Sequence, residues 1–432
     1  MFKNKKRLSP FQIITVGYLF VIGVGTLFLL FPFMKKPTVV ISVIDTLFTV
    51  VSATCVTGLT VVNTAASFNF LGQLILLLLI QIGGLGYMTV ATLLVLILKK
   101  KVSLRDRFAI KESLNQHMPG GMVFLILNII KMTFFFEILG SILLFISLKG
   151  NYNSLLERLW VSIFHAVSAF CNCGLDLFRS SLIEFNNNIL FISTIATLII
   201  IGGLGFFVLK EIKEFFLSKT QKGFSVHSKI VLIISSLLIL IGFLFFKLHG
   251  YSCLDSFFMS VTTRTAGFNT QSLTTFSPIL ILLVIILMLI GASPGGTGGG
   301  VKTTTFFCFF FPLKMWFQNK RRYEIFNRRI NEQFVLKAIA LVSFYISLLL
   351  FMTFLIYSLN NLPIHKVLFE VTSALGTVGL SLGITSKLNF FSKILIIIIM
   401  LIGRIGLLTF SMNLLSINNK QELVYPEEKI FI

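Results

Sequence analysis

Long apolar runs with almost no charge dominate this chain of 432 residues, of which 56% are hydrophobic. Most of them reach or exceed the roughly 20 residues that a helix needs to cross a bilayer core. The eight runs are 11–31, 71–98, 122–148, 189–209, 230–248, 278–290, 334–359 and 394–415. We therefore predict a polytopic membrane protein. The first run follows a basic segment, but it is long and lacks a small-x-small cleavage site, so we expect a retained helix rather than a signal peptide.

The basic residues concentrate between the apolar runs and account for the net charge of +21. Lys and Arg outnumber Asp and Glu in 1–10, 99–121, 218–229 and 319–332. The positive-inside rule places these segments, and with them the C-terminus, in the cytoplasm. In a membrane protein this positive charge does not indicate nucleic-acid binding. It reflects either the orientation of the protein in the membrane together with contact to anionic lipids, or a docking surface for a cytosolic partner.

A short motif occurs four times along the chain. It reads SATCVTGLT at 52–60, SAFCNCGLD at 168–176, TTRTAGFN at 262–269 and SALGTVGLS at 373–381. Its glycines, Gly58, Gly174, Gly267 and Gly379, are 116, 93 and 112 residues apart. A second glycine follows 25, 28, 24 and 24 residues later, at Gly83, Gly202, Gly291 and Gly403. Matched features at matched offsets indicate a fourfold internal repeat, and we expect the second glycines to serve close helix packing.

Each repeat has the pattern helix, half-helix, loop, helix. The half-helices are predicted at 41–53, 159–170, 255–264 and 365–375. About 13 residues span roughly 20 Å, too little to cross a bilayer. We expect re-entrant segments, which are tolerated where protein or a water-filled cavity covers the backbone. Asp45 with Thr46, and Asp255 with Ser256, are the candidate N-terminal caps. The second helices of repeats one and two are predicted to continue through 70–98 and 189–217.

The predicted fold is an all-α polytopic membrane protein with four tandem helix–pore-helix–loop–helix repeats around one pseudo-fourfold pore and eight transmembrane helices. Its segments are a cytoplasmic N-terminus (1–10), pore repeat 1 (11–98), a cytoplasmic loop (99–121), pore repeat 2 (122–217), a second cytoplasmic loop (218–229), pore repeat 3 (230–318, with a gate at 291–302), a third cytoplasmic loop (319–332), pore repeat 4 (333–418) and a C-terminal tail (419–432).

Four half-helices around one axis would suit a cation. Their C-terminal ends carry partial negative charge, and rings of backbone carbonyls can replace the hydration shell of an ion. Glycine permits the backbone angles that such loops need. Among the residues two positions after the four glycines only Asp176 is acidic, which favours a monovalent ion over a divalent one.

The third repeat contains a helix-breaking segment at 291–300, where seven of ten residues are glycine or proline. On its composition alone the segment predicts a kinked connector between two helices. The stretch 295–303 nearly matches a nucleotide P-loop, but Val301 separates the last glycine from Lys302 and no strand precedes it, which disfavours nucleotide binding. Arg404 lies within an apolar helix and should face the bundle interior or snorkel to the cytoplasm. Arg264 and Glu370 are candidates for buried support behind the loops.

Four elements carry a resemblance to a known family: TRTAGFN at 263–269, the glycine break at 291–300, TVGLS at 377–381 and IGRIG at 402–406. They resemble the Trk/Ktr/HKT superfamily of potassium transporters over nearly the whole chain. The chain begins directly with its first repeat, which is more similar to the Ktr membrane subunit than to the longer Trk one. The resemblance implies channel-like potassium uptake across the plasma membrane, a homodimer and a separate cytosolic ring of nucleotide-binding regulatory subunits.

The resemblance also implies residue roles. Sodium is a candidate activator or symported ion, and the chain itself is expected to hold no cofactor. The filter residues are Val56, Thr57, Gly58, Asn172, Cys173, Gly174, Thr265, Ala266, Gly267, Thr377, Val378 and Gly379. The gate residues are Gly291, Ser293, Pro294, Gly295, Gly296, Thr297, Gly298, Gly299, Gly300, Lys302 and Arg404. Cys171 and Cys173 depart from the small or amide residues that are more usual in the second loop.

Two other classes fit less well. A secondary transporter with inverted repeats needs repeats of opposite orientation, whereas the charge pattern gives all four the same one. A membrane-embedded enzyme needs a nucleophile–base set or paired histidines, and the sequence presents neither. The five cysteines follow no metal-binding spacing, so we expect free thiols. We therefore predict a cation transporter and not an enzyme.

Overall fold

The computed structural model describes residues 10–37, 39–98, 122–178, 180–217, 223–319 and 323–406. Several predicted features lie outside the described residues. These are the basic segment before residue 10, the loop 99–121, most of the basic residues of the other two cytoplasmic loops, and the part of repeat four and the tail beyond residue 406. Helices make up most of the described chain.

Four long apolar helices form much of the outer surface of the molecule. They are α1 (Pro10–Leu30), α6 (Met122–Ser147), α10 (Val226–Leu248) and α14 (Glu332–Leu359). Each is long and apolar enough to cross a membrane. Their outer faces expose large apolar side chains, such as Phe135, Ile138 and Ile142 on α6. Apolar surface of this extent is incompatible with water and matches the acyl chains of a bilayer.

Four shorter helices follow the long ones at the predicted places. They are α2 (Val43–Thr54), α7 (Leu155–Phe170), α11 (Cys253–Thr265) and α15 (Ile364–Gly376). The prediction that Asp45 and Asp255 cap α2 and α11 is wrong. Ser42 and Ser252 are the caps, because their extended backbone lets each hydroxyl accept the N–H of the aspartate three residues on, at 3.1 Å in both cases. The carboxylates accept hydrogen bonds from these hydroxyls in return.

The second helix of each repeat ends near its glycine cluster. These helices are α4 (Phe70–Leu85), α8 (Ile189–Leu204), α12 (Pro278–Leu289) and α16 (Phe390–Ile405). The prediction of continuous helices through 70–98 and 189–217 is wrong. The chain bends by 100° at Gly86 and by 102° at Gly205 before α5 (Tyr87–Ile97) and α9 (Phe206–Leu217). Both glycines have φ near +90°, which an α-helix cannot continue through.

The third repeat is broken as its glycine and proline content predicts. After α12 the loop 290–302 runs to α13 (Thr303–Phe317), with a β-bridge between Ile290 and Val301 at its base. The remaining elements are small: α3 (Thr64–Ser67), four short 3-10 turns and a hairpin of β1 (Glu324–Ile325) and β2 (Arg328–Arg329). By length and composition, the described chain has four candidate membrane spans, or up to six if each bent pair counts as one.

The repeats pack in a closed order. The second helix of each repeat lies against the half-helix of the next, in the pairs α4–α7, α8–α11, α12–α15 and α16–α2. The last pair joins the two ends of the chain. An ion pair between Lys393 on α16 and Asp45 on α2, at 2.6 Å, strengthens that closure. The four half-helices are thereby held around a common centre.

Candidate functional site

The four motif glycines meet at this centre. All have positive φ, at +85°, +74°, +81° and +94° in chain order, which side chains rarely permit. A methyl group on any of them would lie 2.0–2.2 Å from a carbonyl oxygen of the next loop. Gly58 faces Cys173, Gly174 faces Ala266, Gly267 faces Val378, and Gly379 faces Thr57. The fourth contact returns to the first loop, so the four loops form a closed ring of glycines and carbonyl oxygens.

Backbone hydrogen bonds fix the loops to their half-helices. The N–H groups of Thr57, Cys173 and Val378 donate to the carbonyls five residues earlier, at 2.8–2.9 Å, and Gly267 does so at 3.4 Å. Of the twelve predicted filter residues, all but Gly379 are buried. The structure therefore brings the predicted filter residues together in one buried ring.

The third loop departs from the other three. Val56, Asn172 and Thr377 have φ between +50° and +58° two residues before their glycine, whereas Thr265 does not. The Ser168 hydroxyl donates to the carbonyl seven residues on, and the equivalent Thr262 hydroxyl reaches the carbonyl only six residues on. The third loop is therefore one residue shorter than the second, a difference that the sequence motifs show once they are aligned on this hydroxyl.

The glycine-rich loop 290–302 contacts the loops of several repeats. The Thr297 hydroxyl lies 2.7 Å from the side-chain amide of Asn172 and 3.0 Å from the carbonyl oxygen of Phe170. The N–H of Gly299 donates to the Thr377 hydroxyl at 3.0 Å. Gly298 lies against Thr265. Three of the four glycine loops thus contact this one segment through the residue two positions before the glycine.

Further bonds hold the same loop to α8, the second helix of repeat two. The N–H groups of Ser293 and Thr297 donate to the carbonyls of Gly203 and Gly202, each at 3.0 Å. The Lys302 ammonium donates to the carbonyl of Gly298 at 2.8 Å, within the loop itself. The predicted gate residues between 291 and 302 are therefore assembled in one segment directly against the filter loops.

Arg404 joins this segment to the first repeat. Its guanidinium donates to the carbonyls of Thr297 and Gly83, and to that of Gly84 at 3.3 Å. Within the described residues, no carboxylate forms an ion pair with it. Its charge is instead compensated by carbonyl oxygens of two separate segments, so the guanidinium faces the bundle interior.

The family model that matches the chain is described as "TrkH: Cation transport protein", and it covers residues 7–246 and 243–421. The chain belongs to the TrkH family of cation transport proteins. Membership in the TrkH family makes it a multi-pass membrane transporter and not an enzyme, as the sequence predicts.

Similar proteins support the TrkH assignment. A potassium/sodium uptake protein, NtpJ, from Enterococcus hirae is 37% identical, covering 99% of this chain and 98% of that protein. The Ktr system potassium uptake protein B of Bacillus subtilis is 35% identical, covering 98% and 97%. Among solved structures, the potassium transporter TrkH from Vibrio parahaemolyticus superposes with a TM-score of 0.73 at 19% identity, covering 96% of this chain and 87% of that one. The last likeness shows a shared fold.

Two predicted support residues of this TrkH chain are buried behind its loops. Arg264 donates to the carbonyl of Gly291 at 3.0 Å, and Glu370 accepts hydrogen bonds from Ser381 and Thr385. Both are more than nine-tenths buried. The expectation of buried support is confirmed for both residues.

Three of the four second glycines permit close packing, as predicted, whereas Gly291 lies in the glycine-rich loop against the carbonyl of Gly299. A methyl group on Gly83, Gly202 or Gly403 would lie 2.0–2.3 Å from a carbonyl at the end of the half-helix in the same repeat. The sequence reasoning missed the third residue after each of these glycines. Gly86, Gly205 and Gly406 all have positive φ and end their helices. The repeated pattern glycine-x-x-glycine was the signal that could have found them.

The cysteines are all free thiols, and Cys55, Cys171 and Cys173 are buried. Cys173 contributes its carbonyl to the ring, and the Cys171 sulfur packs against Gly84. Within the described residues, no group of three or more His, Cys, Asp or Glu side chains could hold a metal ion. Despite these cysteines, the backbone of the second loop has the same arrangement as those of the first and fourth loops.

Proposed function

We propose that this protein is a channel-like potassium uptake pore. The observation that carries the proposal is the closed ring in which each loop's carbonyl oxygen lies against the glycine of its neighbour. Relatives covering almost the whole chain are named as potassium or potassium/sodium uptake proteins. In the proposed function, this ring binds the transported ion.

The chemistry of the ring suits a monovalent cation. The transported ion is held by backbone carbonyls of Thr57, Cys173, Ala266 and Val378, which take the place of its hydration shell. The C-terminal ends of α2, α7, α11 and α15 point at the same centre and add partial negative charge. A divalent ion would call for a ring of carboxylates. Potassium is the cargo of this site and not a resident cofactor.

The membrane arrangement that accompanies this function has four repeats around one pseudo-fourfold pore, with eight spans. The N-terminus, the inter-repeat loops and the C-terminus lie on the cytoplasmic side of the plasma membrane, and the filter loops enter from outside. We further propose a homodimer, contact with anionic lipids at the basic loops, and control by a cytosolic nucleotide-binding ring. Sodium acts as an activator or a coupled ion in this scheme.

The loop 291–302 serves as the gate below the filter. Its bonds to Asn172 and Thr377 hold it across the path of an ion that has passed the ring. Arg404 adds a positive charge at the same place and links the loop to the first repeat. Breaking these bonds would open the path to the ion. The number of bonds therefore determines the free energy that opening the gate costs.

The proposal is tested by Gly379→Ser and Gly267→Ser in proteoliposomes. A side chain at either position collides with the carbonyl of Thr57 or Val378. Under an imposed voltage, the ratio of rubidium to sodium uptake should fall about tenfold or more. The reason is that a displacement beyond about 0.5 Å already disrupts a preorganised site.

Gly150→Ser is the matched control. Gly150 has the same positive φ, at +92°, but no atom lies within 4 Å of an added methyl group. This variant carries the backbone strain without the collision, so its ion preference should equal that of the wild type. An unchanged preference in both filter variants, in folded protein, would refute the assignment of the ring. Equal loss in the control would show that strain alone was responsible.

A further inference from the structure

Two buried polar side chains occupy the same position in two of the half-helices. His165 lies nine residues before Gly174, and Glu370 lies nine residues before Gly379. His165 is 0% exposed and Glu370 is 1% exposed. Because the loops contact one another in chain order around the ring, loops two and four face each other across it. The two side chains therefore stand behind opposite walls of the filter.

Glu370 is bonded to the chain that leaves the fourth loop. Its carboxylate accepts hydrogen bonds from the hydroxyls of Ser381, at 2.9 Å, and of Thr385. The Ser381 hydroxyl in turn accepts the N–H of Gly383 at 3.0 Å. Within the described residues, Glu370 forms no ion pair. The two hydroxyls are therefore what compensates the burial of this carboxylate.

His165 is bonded to the second loop in a similar way. Its Nε2 accepts the N–H of Leu177 at 3.3 Å, and its Nδ1 lies 2.8 Å from the carbonyl of Val161. A carbonyl only accepts, so Nδ1 carries the proton and Nε2 is free to accept. The imidazole also stacks on Phe178, with ring centres 4.3 Å apart. Loop two is thus held to its own half-helix three residues beyond Gly174.

The first and third repeats lack this link at the corresponding position. Thr49, nine residues before Gly58, donates to the carbonyl of Asp45 in its own helix at 2.8 Å. In the third repeat, whose loop is one residue shorter, the corresponding residue is Met259, and its thioether is only a weak acceptor. The fourfold ring therefore has a twofold pattern of support behind it.

We propose that Glu370 and His165 are positioning residues that fix the outer ends of loops four and two, and so set the preference of the filter for potassium over sodium. Sodium is the smaller ion, and two opposite walls that could approach each other would close around it. Carbonyl filters discriminate through cavity size and through the number of oxygens that reach the ion. Walls held from behind resist that contraction. This inference rests on the function proposed above.

The test compares rubidium with sodium uptake in proteoliposomes at a fixed voltage. Glu370→Gln, the double variant Ser381→Ala with Thr385→Val, and His165→Leu should each lower the rubidium-to-sodium ratio about tenfold, equivalent to about 1.4 kcal/mol. Combining Glu370→Leu with Thr385→Val should lower the ratio no further than Glu370→Leu alone, because leucine leaves no acceptor for the Thr385 hydroxyl. Thr385→Ser keeps the hydroxyl that bonds Glu370, so this variant should have the wild-type ratio.

Thr49→Val is the matched control. It removes a buried hydroxyl at the same position of the first repeat, where the hydroxyl bonds only its own helix. Its ion ratio should stay at the wild-type value. Each variant is first checked for folding by gel filtration and thermal unfolding, and Thr385→Val, which is nearly isosteric, keeps the test available if another variant does not fold.

Three results would be decisive against these ideas. Wild-type protein that takes up no rubidium would refute the proposed function itself. Wild-type preference in folded Glu370→Gln and His165→Leu would overturn the positioning role. A fall in Glu370→Gln that the hydroxyl variants do not reproduce would also overturn it, because the negative charge rather than the hydrogen bonds would then be responsible.

Discussion

Replacing Arg404 changes the contacts that hold the loop 291–302 in place. The guanidinium donates to the carbonyls of Thr297 in the loop and of Gly83 in the first repeat. A hydrogen bond to a charged group contributes roughly 1.5–3 kcal/mol, so Arg404→Ala removes about 3–6 kcal/mol of support for the closed state of the proposed gate. Since 1.4 kcal/mol is tenfold in an equilibrium constant, the open population should rise roughly 100-fold or more, until it saturates.

The assay is rubidium uptake into proteoliposomes that contain only this chain. Arg404→Ala should raise the initial rate at least about tenfold over the wild type, and Arg404→Lys should give an intermediate rate, because a single ammonium cannot span both carbonyls. Arg158→Ala is the control. It removes one positive charge near the start of α7, where Arg158 lies over the ring of Phe145. Uptake by folded Arg404→Ala at or below the wild-type rate would refute this reasoning.

Two further predictions concern the bends and the ring closure. Gly205→Ala and Gly86→Ala should each cost about 1–3 kcal/mol in backbone strain, but only Gly205→Ala should alter rubidium uptake, since its methyl meets the carbonyl of Pro294 at 2.6 Å and Gly86 has open space. Equal uptake in both variants would contradict this. Asp45→Asn should lower stability by about 1–3 kcal/mol, because the ion pair with Lys393 is largely buried. Thermal unfolding in detergent measures it, and adding Lys393→Gln should recover part of the loss.

Much of the local structure was accessible from the sequence. The apolar runs predicted the four long helices, and the recurrent motif predicted the positions of the half-helices and their loops. The glycines at 291–300 predicted the broken helix of the third repeat, because no helix tolerates so many glycine and proline residues. These predictions succeeded because each depends on residues that are neighbours in the chain.

The failures have a common cause. The bends at Gly86 and Gly205 were missed because the glycines of each cluster were all assigned to helix packing, which a continuous helix tolerates, and the repeated glycine-x-x-glycine spacing was not used. The caps were assigned to Asp45 and Asp255 because aspartate is itself a common cap, although Ser42 and Ser252 each precede an aspartate by three residues, the spacing of a capping box. The shorter third loop was hidden by aligning the motifs on their glycines alone.

The sequence by itself determined that this is a helical membrane protein with four related loops, since hydropathy and repeated motifs are properties of the chain that need no partner. Only the tertiary structure decided that each glycine faces the carbonyl of the next loop, that Arg404 joins Thr297 to Gly83, and that His165 and Glu370 bond the chain that leaves loops two and four. Most of these contacts join residues that are far apart in the chain, and all of them exist only in the packed fold. The same sequence pattern would allow many other sets of contacts, and packing selects this one.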